Sequence, residues 1–325
     1  MHAVYLADTF SLQQNLLQPL LDGIFQGAAY GLLGLGLVLL YKSNRIFNFA
    51  QGEFATVAAM TTLVFDQGSK LDLFGIDLPN LPYFVAAALG LLAAVGVAMA
   101  TERVVIRPMF NRPRVVLVVG TIGVTLLLIG VEGLLYPHAE ALRPLSEVLG
   151  FHHDYLARID KIAIDFQDVV KLIALAVLAL AAYLFFKRTR TGTGILAVSQ
   201  DTTAARLVGI SIERISMVTW ALAGLLGGLA GIMLAVPPIV VQPGIFTGVT
   251  LTAAFTAAVV GGFTSLPGAF VGGLAVGIVQ SFAAADSSFV PGLRSLVSGQ
   301  AEVAVFVVLL AVLLVRPRGL LGKAT

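Results

Sequence analysis

The chain is expected to fold as an all-α bundle of eight or nine membrane-crossing helices, and three observations predict it. Only 12% of its 325 residues are charged while 58% are hydrophobic, against roughly 25% charged in an ordinary soluble domain. Apolar runs recur along its length at the roughly 20 residues a helix needs to cross hydrocarbon. Lys and Arg collect in every second connection between those runs, the pattern that sorts cytoplasmic from external loops.

Taken in order, the apolar runs predict spans near 17–41, 48–65, 82–101, 115–136, 169–186, 215–235, 247–264, 267–285 and 302–315. The opening "MHAVYLADTF" lacks the basic start and cleavage site of a removable signal, so the first run is read as a retained span. The second, seventh and eighth runs contain polar or glycine-rich pieces, as re-entrant or broken helices do. After the third run, "TERVVIRPMFNRPR" sets Arg103, Arg107, Arg112 and Arg114 against Glu102. The connection after the fifth begins with Lys187, Arg188 and Arg190 and continues to Arg206 and Arg214, and the tail carries Arg316, Arg318 and Lys323. Residues 66–80 instead set Asp66, Asp72 and Asp77 against Lys70, and residues 137–168 hold more acids than bases. Nine crossings, with the N-terminus outside and the C-terminus cytoplasmic, satisfy every connection; eight crossings and one re-entrant segment also fit.

Glycine recurs at helical spacing: Gly23, Gly27 and Gly31 in the first run; Gly224 with Gly228 and Gly227 with Gly231 in the sixth; Gly268 with Gly272 and Gly273 with Gly277 in the eighth. Such stripes let two helix backbones approach closely. They fit either packing inside one bundle or a subunit interface that slides during transport. The first and sixth runs would point in opposite directions, as in an inverted repeat, although no residue-level match accompanies them.

Several kinds of chemistry are not expected. There is no cysteine, so disulfides and thiolate sites are excluded. The four histidines, His2, His138, His152 and His153, fall outside the predicted spans, and no H-E-x-x-H pair occurs. An intramembrane nucleophile would therefore lack a base, and His152-His153-Asp154 reads as a solvated loop. Gly322-Lys323 lacks the glycine spacing of a phosphate-binding loop. The connections 137–168 and 187–214 are too short for a nucleotide-binding fold, so no cofactor is expected on this chain. Lipid is the expected surrounding, and no nucleic-acid partner is expected.

Three stretches depart from plain packing. "NFAQGEF" places Asn48, Gln51 and Glu53 between two apolar runs; a charge at mid-bilayer costs about 2.5–3.5 kcal/mol on insertion scales, so Glu53 must face protein or water. Asn48 and Gln51 suit either capping of a re-entering backbone or lining of a polar path. In "TGTGILAVSQDTTAARLVGISIERI", Ala197, Ala204, Ala205, Leu207 and Val208 lie in a helix-compatible run ending at Gly209, with Gln200, Asp201 and Arg206 on a polar face. Its sparse basic residues favour a protein groove over a headgroup surface. In "VVGGFTSLPGAFVGG", Pro267 and the surrounding glycines break a regular helix, either where backbone lines a cavity or, the favoured reading, in an ordinary tight turn between the seventh and eighth runs.

These stretches, with "VRPRGLLG" at 315–322, resemble the permease subunits of branched-chain amino acid ABC importers across nearly the whole chain. "NFAQGE" is similar to that family's signature, "ERVVIRP" to its segment after the third span, "GTIGVTLLL" to its fourth-span element, and "AVVGGFTSLPGAFVGG" to its Gly-Gly…Pro-Gly-Ala stretch. The resemblance implies half of a translocation pathway in a bacterial cytoplasmic (inner) membrane, without catalysis by this chain. It implies a second related permease, two cytoplasmic ATPases holding ATP and Mg, and an extracytoplasmic solute-binding protein. The segment 195–210 corresponds to the ATPase-coupling helix, with Ala197, Gln200, Asp201, Ala205, Arg206 and Gly209 as contact candidates. Asn48, Gln51, Glu53, Thr121 and Thr125 are the pathway candidates. Related members carry leucine, isoleucine and valine, or urea and short amides. The alternative is a secondary transporter that couples ions through Glu53, Asp22 and Glu132.

Overall fold

Among the described residues, each of the nine apolar runs forms a helix, in the expected order. The computed structural model describes residues 16–68, 70–71, 76–136, 140–150, 155–159, 162–237, 239–284, 301–316 and 319–321. His2, Asp72, His138, His152, His153, Asp154, Arg318, Gly322 and Lys323 lie outside them, and so do the readings placed on those residues. The helices are α1 (Gln18–Asn44), α2 (Gln51–Gln67), α3 (Tyr83–Thr101), α4 (Arg114–Leu135), α5 (Phe166–Arg188), α6 (Arg190–Gln200), α7 (Thr202–Leu207), α8 (Ile212–Leu234), α9 (Val249–Gly261), α10 (Leu266–Ala284) and α11 (Ala301–Val315). Two short antiparallel ribbons interrupt the helical architecture: β1 (Lys70–Leu71) with β2 (Ile76–Asp77), and β3 (Tyr155–Ile159) with β4 (Ile162–Asp165).

Among the described residues, six helices are long and apolar enough to cross a membrane: α1, α3 with its extension to Met109, α4, α5, α8 and α10. Three are shorter, with 17 residues in α2, 13 in α9 and 15 in α11. The polar or glycine-rich second and seventh runs are thus short helices. The eighth differs from expectation: α10 continues unbroken for 19 residues, because Pro267 occupies its first turn, where a missing N–H costs nothing.

Contacts between helices set their directions. Ser43 meets Thr219 and Asn44 meets Ser216, while Gly36 lies near Ala223, so α1 and α8 are antiparallel. Gly23 faces Gly277 and Gly27 faces Gly273, so α1 and α10 are antiparallel. Gln51 at Gly227 and Ala55 at Gly231 make α2 parallel to α8, while Gly224 and Gly228 meet Ala98 and Ala94 of an antiparallel α3. After α11 the chain returns to the end of α9, where the Leu320 N–H donates to Val260 O at 2.7 Å. One end of the bundle therefore gathers the basic connections. There Lys42 Nζ donates to Thr264 O at 3.2 Å, Arg45 Nη2 to Ser199 O at 2.8 Å and Arg107 Nη2 to Glu213 O at 3.4 Å.

The pairings repeat with direction inverted. α1 packs on α10 as α8 packs on α3, α1 on α9 as α8 on α2, and α9 on α10 as α2 on α3. Helices α1–α3 and α8–α10 thus pack as two inverted halves. The glycine stripes lie inside this one chain. A Cβ on Gly27 would come within 2.5 Å of Gly273 O, and one on Gly23 within 2.5 Å of Ile278 Cα. Gly31 faces Leu175 and Ala269; Gly268 and Gly272 face Gly261 and Ala257 across the α9–α10 hairpin. Helix association in lipid gains little from hydrophobicity and depends on such close packing.

Polar ties hold the ends. At the basic end α3 continues through a π turn, Glu102–Ile106, whose wider winding brings position i+5 near position i. Arg107 accordingly forks onto the buried Glu102, with Nη2 at 2.8 Å from Oε2 and Nε at 3.2 Å from Oε1. At the opposite end the Arg143 guanidinium makes a two-pronged pair with the fully buried Asp66 carboxylate. Hydrogen bonding to Asp66 raises the Arg143 pKa above its ordinary value.

Two outcomes follow from this packing. Gly27→Leu should destabilise the bundle by about 3 kcal/mol or more, since the clash is with backbone. Gly123→Leu, whose Cβ meets nothing within 4 Å, should change stability by less than about 0.5 kcal/mol. Equal effects in denaturant-titrated unfolding would refute the stripe's role. A double-mutant cycle on Asp66→Asn and Arg143→Met should give a coupling of about 1–3 kcal/mol; a coupling near zero would mean that the pair does not fasten this end.

Candidate functional site

Two helices begin inside the bundle, and their starts meet. α1 ends at Arg45, a non-glycine residue at φ 55°, whose N–H returns to Tyr41 O. This left-handed turn sends Ile46–Ala50 back inward between α1, α4 and α8. Helix α2 then starts where Gln51 lies against Gly36 of α1 and Ala223 of α8, both in mid-helix. From the other half, the segment before α9 descends until Phe246 and Thr247 touch Gly52. The N-termini of α2 and α9 therefore converge in the interior, and each contributes the positive end of its dipole.

Backbone entering an apolar interior must find hydrogen bonds within the protein. Asn48 Oδ1 accepts from the Ala50 N–H at 3.1 Å, and Asn48 Nδ2 donates to Gln51 Oε1 at 3.4 Å. Gln51 Nε2 donates to Ala223 O at 2.9 Å. Its amide fits because Gly36 and Gly227 flank it; a Cβ at Gly227 would lie 2.9 Å from Nε2. The Phe49 N–H donates to Thr121 Oγ1 at 3.2 Å, and that hydroxyl donates to Val118 O at 2.8 Å. Asn48, Gln51 and Thr121 are thus brought together as a buried brace. Thr125 is buried nearby, but its hydroxyl bonds its own helix at Thr121 O.

Glu53 occupies the first turn of α2, fully buried. The Thr247 hydroxyl donates to Glu53 Oε1, and the Gly244 N–H donates to Glu132 Oε2 at 3.3 Å. The two carboxyl groups are close enough to act on each other electrostatically. Among the described residues, no hydrogen-bond partner is found for Glu53 Oε2 or Glu132 Oε1. Two buried carboxyl groups this near each other can share a proton. On the side toward the basic end, Tyr41, Phe47, Phe49, Phe255 and Phe263 stack at ring separations of 5.0–6.3 Å and close the interior.

Glu132 enters the site although its place in the sequence suggested only a span end. Thr247 and Gly244 were not anticipated; "QPG" at 242–244 announces a turn but not its depth. The segment 195–210 is not one helix. α6 and α7 break at Asp201, whose Oδ1 caps α7 by accepting from the Thr203 and Ala204 N–H groups at 2.8 and 3.0 Å. Gly209, at φ 84°, ends the run. Ala205 is buried and Ala197 half-buried, both turned toward the bundle, while Gln200, Asp201, Arg206 and Gly209 are exposed. Leu207 and Val208 project furthest, 84% and 76% exposed.

Comparison with known proteins gives this geometry a family. The family described as "Branched-chain amino acid transport system / permease component" matches residues 20–315. The chain is 29% identical to the high-affinity branched-chain amino acid transport system permease protein LivH of Escherichia coli K12, over 94% of this chain and 96% of that protein. It is 28% identical to the corresponding BraD protein of Pseudomonas aeruginosa, over 95% and 96% of the two chains. It is also 30% identical to a probable LivH of Methanocaldococcus jannaschii, over 90% and 88%. No solved structure matches it. A multi-pass bundle with two helices beginning at a buried polar junction, matched over nearly its whole length, belongs to the permease components of branched-chain amino acid transport systems.

Proposed function

We propose that this chain forms half of the translocation pathway of an ABC importer for branched-chain amino acids in a bacterial inner membrane. The observation that carries the reading is the meeting of two short helices that begin at a buried polar junction, an arrangement transporters use for a central site. The N-terminus lies outside and all nine helices count as crossings, so the basic end of the bundle faces the cytoplasm. The whole of 1–325 acts as one transmembrane domain, and 187–214 is its cytoplasmic coupling region. The exposed Leu207 and Val208, beside Asp201 and Arg206, are an apolar tip that docks into a cytoplasmic ATPase. Two such ATPases bind ATP and Mg; this chain binds no nucleotide. A second, related permease completes the pathway, and a solute-binding protein delivers at the end bearing Asp66 and Arg143. The aromatic layer around Phe47 and Phe263 closes the cytoplasmic side, and tilting of α6–α7 opens it.

The second reading, ion-coupled transport, is favoured by one observation, the buried Glu53–Glu132 pair. Reconstitution separates the two. The chain alone in proteoliposomes should show no accumulation under a proton or sodium gradient, and uptake should appear only with ATPases, binding protein and internal ATP; gradient-driven accumulation by the chain alone would establish the ion-coupled reading instead. Leu207→Asp with Val208→Asp should leave the thermal melt of the permease unchanged and reduce ATP-driven uptake at least tenfold. Unchanged uptake would remove this tip from the coupling surface.

A further inference from the structure

A groove of about 530 Å³ opens on the flank of the bundle between the start of α9 and the start of α11. Thr247, Thr252 and Glu302 line it together with Val249, Val303 and Phe306. Its depth follows from the helices that carry it. α9 and α11 both finish at the basic end, where the turn after α11 bonds to Val260 O through the Leu320 N–H. Their 13 and 15 residues measure about 20 and 22 Å, so both start inside a hydrocarbon core of about 30 Å. Val305 packs in one cluster with Ala253, which sets Glu302 level with the first turn of α9. Thr247 in turn touches Gly52, beside the Gln51 that rests on Gly36 of α1.

Glu302 is exposed, and among the described residues no Lys or Arg pairs with it. A carboxylate at this depth is too costly against hydrocarbon and belongs to a protein partner or a water-filled space. A dry interface would bury the charge at a further cost unless a cation met it, whereas water solvates it without one. Gly248 and Thr252 are exposed beside it, and no side chain caps the first N–H groups of α9. Open backbone at membrane depth is tolerated inside protein or along an aqueous cavity, not against lipid. The other flanks differ. At comparable depth α4 exposes Leu126 and Leu127, and α5 exposes Val177 and Leu180, aliphatic side chains that lipid accepts.

We propose that this groove is a wall of the aqueous translocation pathway, with Glu302 and Thr252 as its lining side chains. The flank formed by α9 and α11 is then the one turned toward the second permease, and the exposed faces of α4 and α5 are turned toward lipid. Thr247 links this wall to the buried interior, because its hydroxyl donates to Glu53. Asn48, Gln51 and Thr121 stand behind the wall and hold backbone in place. This placement rests on the transport reading above and assigns the pathway to one face of the chain.

The chain contains no cysteine, so single introduced thiols report on water directly, since only the thiolate reacts. The complete importer, its other subunits freed of cysteine, is placed in lipid nanodiscs, where a cationic methanethiosulfonate reagent reaches both faces. Asp77→Cys, exposed away from the basic end, sets the rate for open water. Thr252→Cys and Glu302→Cys should react at least tenfold faster than Leu126→Cys and Leu180→Cys, either without nucleotide or with ATP bound. In proteoliposomes the cationic adduct on Thr252→Cys should cut ATP-driven uptake at least fivefold, and the same treatment of Leu180→Cys should leave uptake unchanged. Thermal melts show which variants fold, and a folded Thr252→Cys importer decides the matter if Glu302→Cys does not assemble. The proposal is overturned if a folded groove thiol falls short of the tenfold difference in both states, as contact with lipid or a dry interface would make it, or if the adduct lowers uptake by less than fivefold. Slow groove thiols in an importer that still accumulates leucine with ATP sink the groove's role and leave the transport reading; a complete assembly without ATP-driven uptake sinks the transport reading itself.

Discussion

The carboxamide of Gln51, held between Gly36 and Gly227 and bonded to Ala223 O, lets a helix begin in the middle of an apolar bundle. A chain that turns inward after Arg45 carries N–H and C=O groups into a region without water. Asn48, Gln51 and Thr121 meet those groups with protein partners and tie three helices together in doing so. The two flanking glycines are as necessary as the amide, because a methyl group at either position would occupy its place. With α2 anchored there, its N-terminus has only one direction to face, the junction with α9.

That junction depends in turn on backbone proximity elsewhere. The α1–α10 contact brings Gly27 against Gly273 and Gly23 against Gly277, and the equivalent contact in the other half sets Gly224 and Gly228 on Ala98 and Ala94. Both bring helix axes close, one through glycine on both sides and one through glycine on alanine. Interhelical distance answers to side-chain size and not to residue identity, so two halves can share an architecture with little residue correspondence. This arrangement also separates duties within the chain. The brace at Asn48 and Gln51 is engaged in holding structure, whereas Glu53 and Glu132 sit buried at the junction itself.

Much of this was readable from composition and position. Runs of about 20 apolar residues can only span or be buried, and the polar interruptions of the second and seventh runs marked helices that come out short. The stretch around Pro267 forms the tight turn between the seventh and eighth runs that was the simpler reading, and Pro267 opens α10 just after it. The segment 195–210 looked like one helix because its small residues are evenly helix-compatible; Asp201, a strong N-cap, restarts it. Of the site candidates, Asn48, Gln51, Glu53 and Thr121 do converge, whereas Thr125 is satisfied within its own helix.

By itself, the sequence determined the membrane class, the positions and order of the apolar runs, the polar interruption before α2 and the basic connections, since each depends on local length, polarity or charge. Only the tertiary structure decided that Glu132, Gly244 and Thr247 join Glu53, that the glycine stripes close on one another within a single chain, and that the two halves are inverted. Those facts depend on helix rotation and depth, which are set by contacts between residues as far apart as Glu53 and Thr247 and leave no periodic trace in either segment.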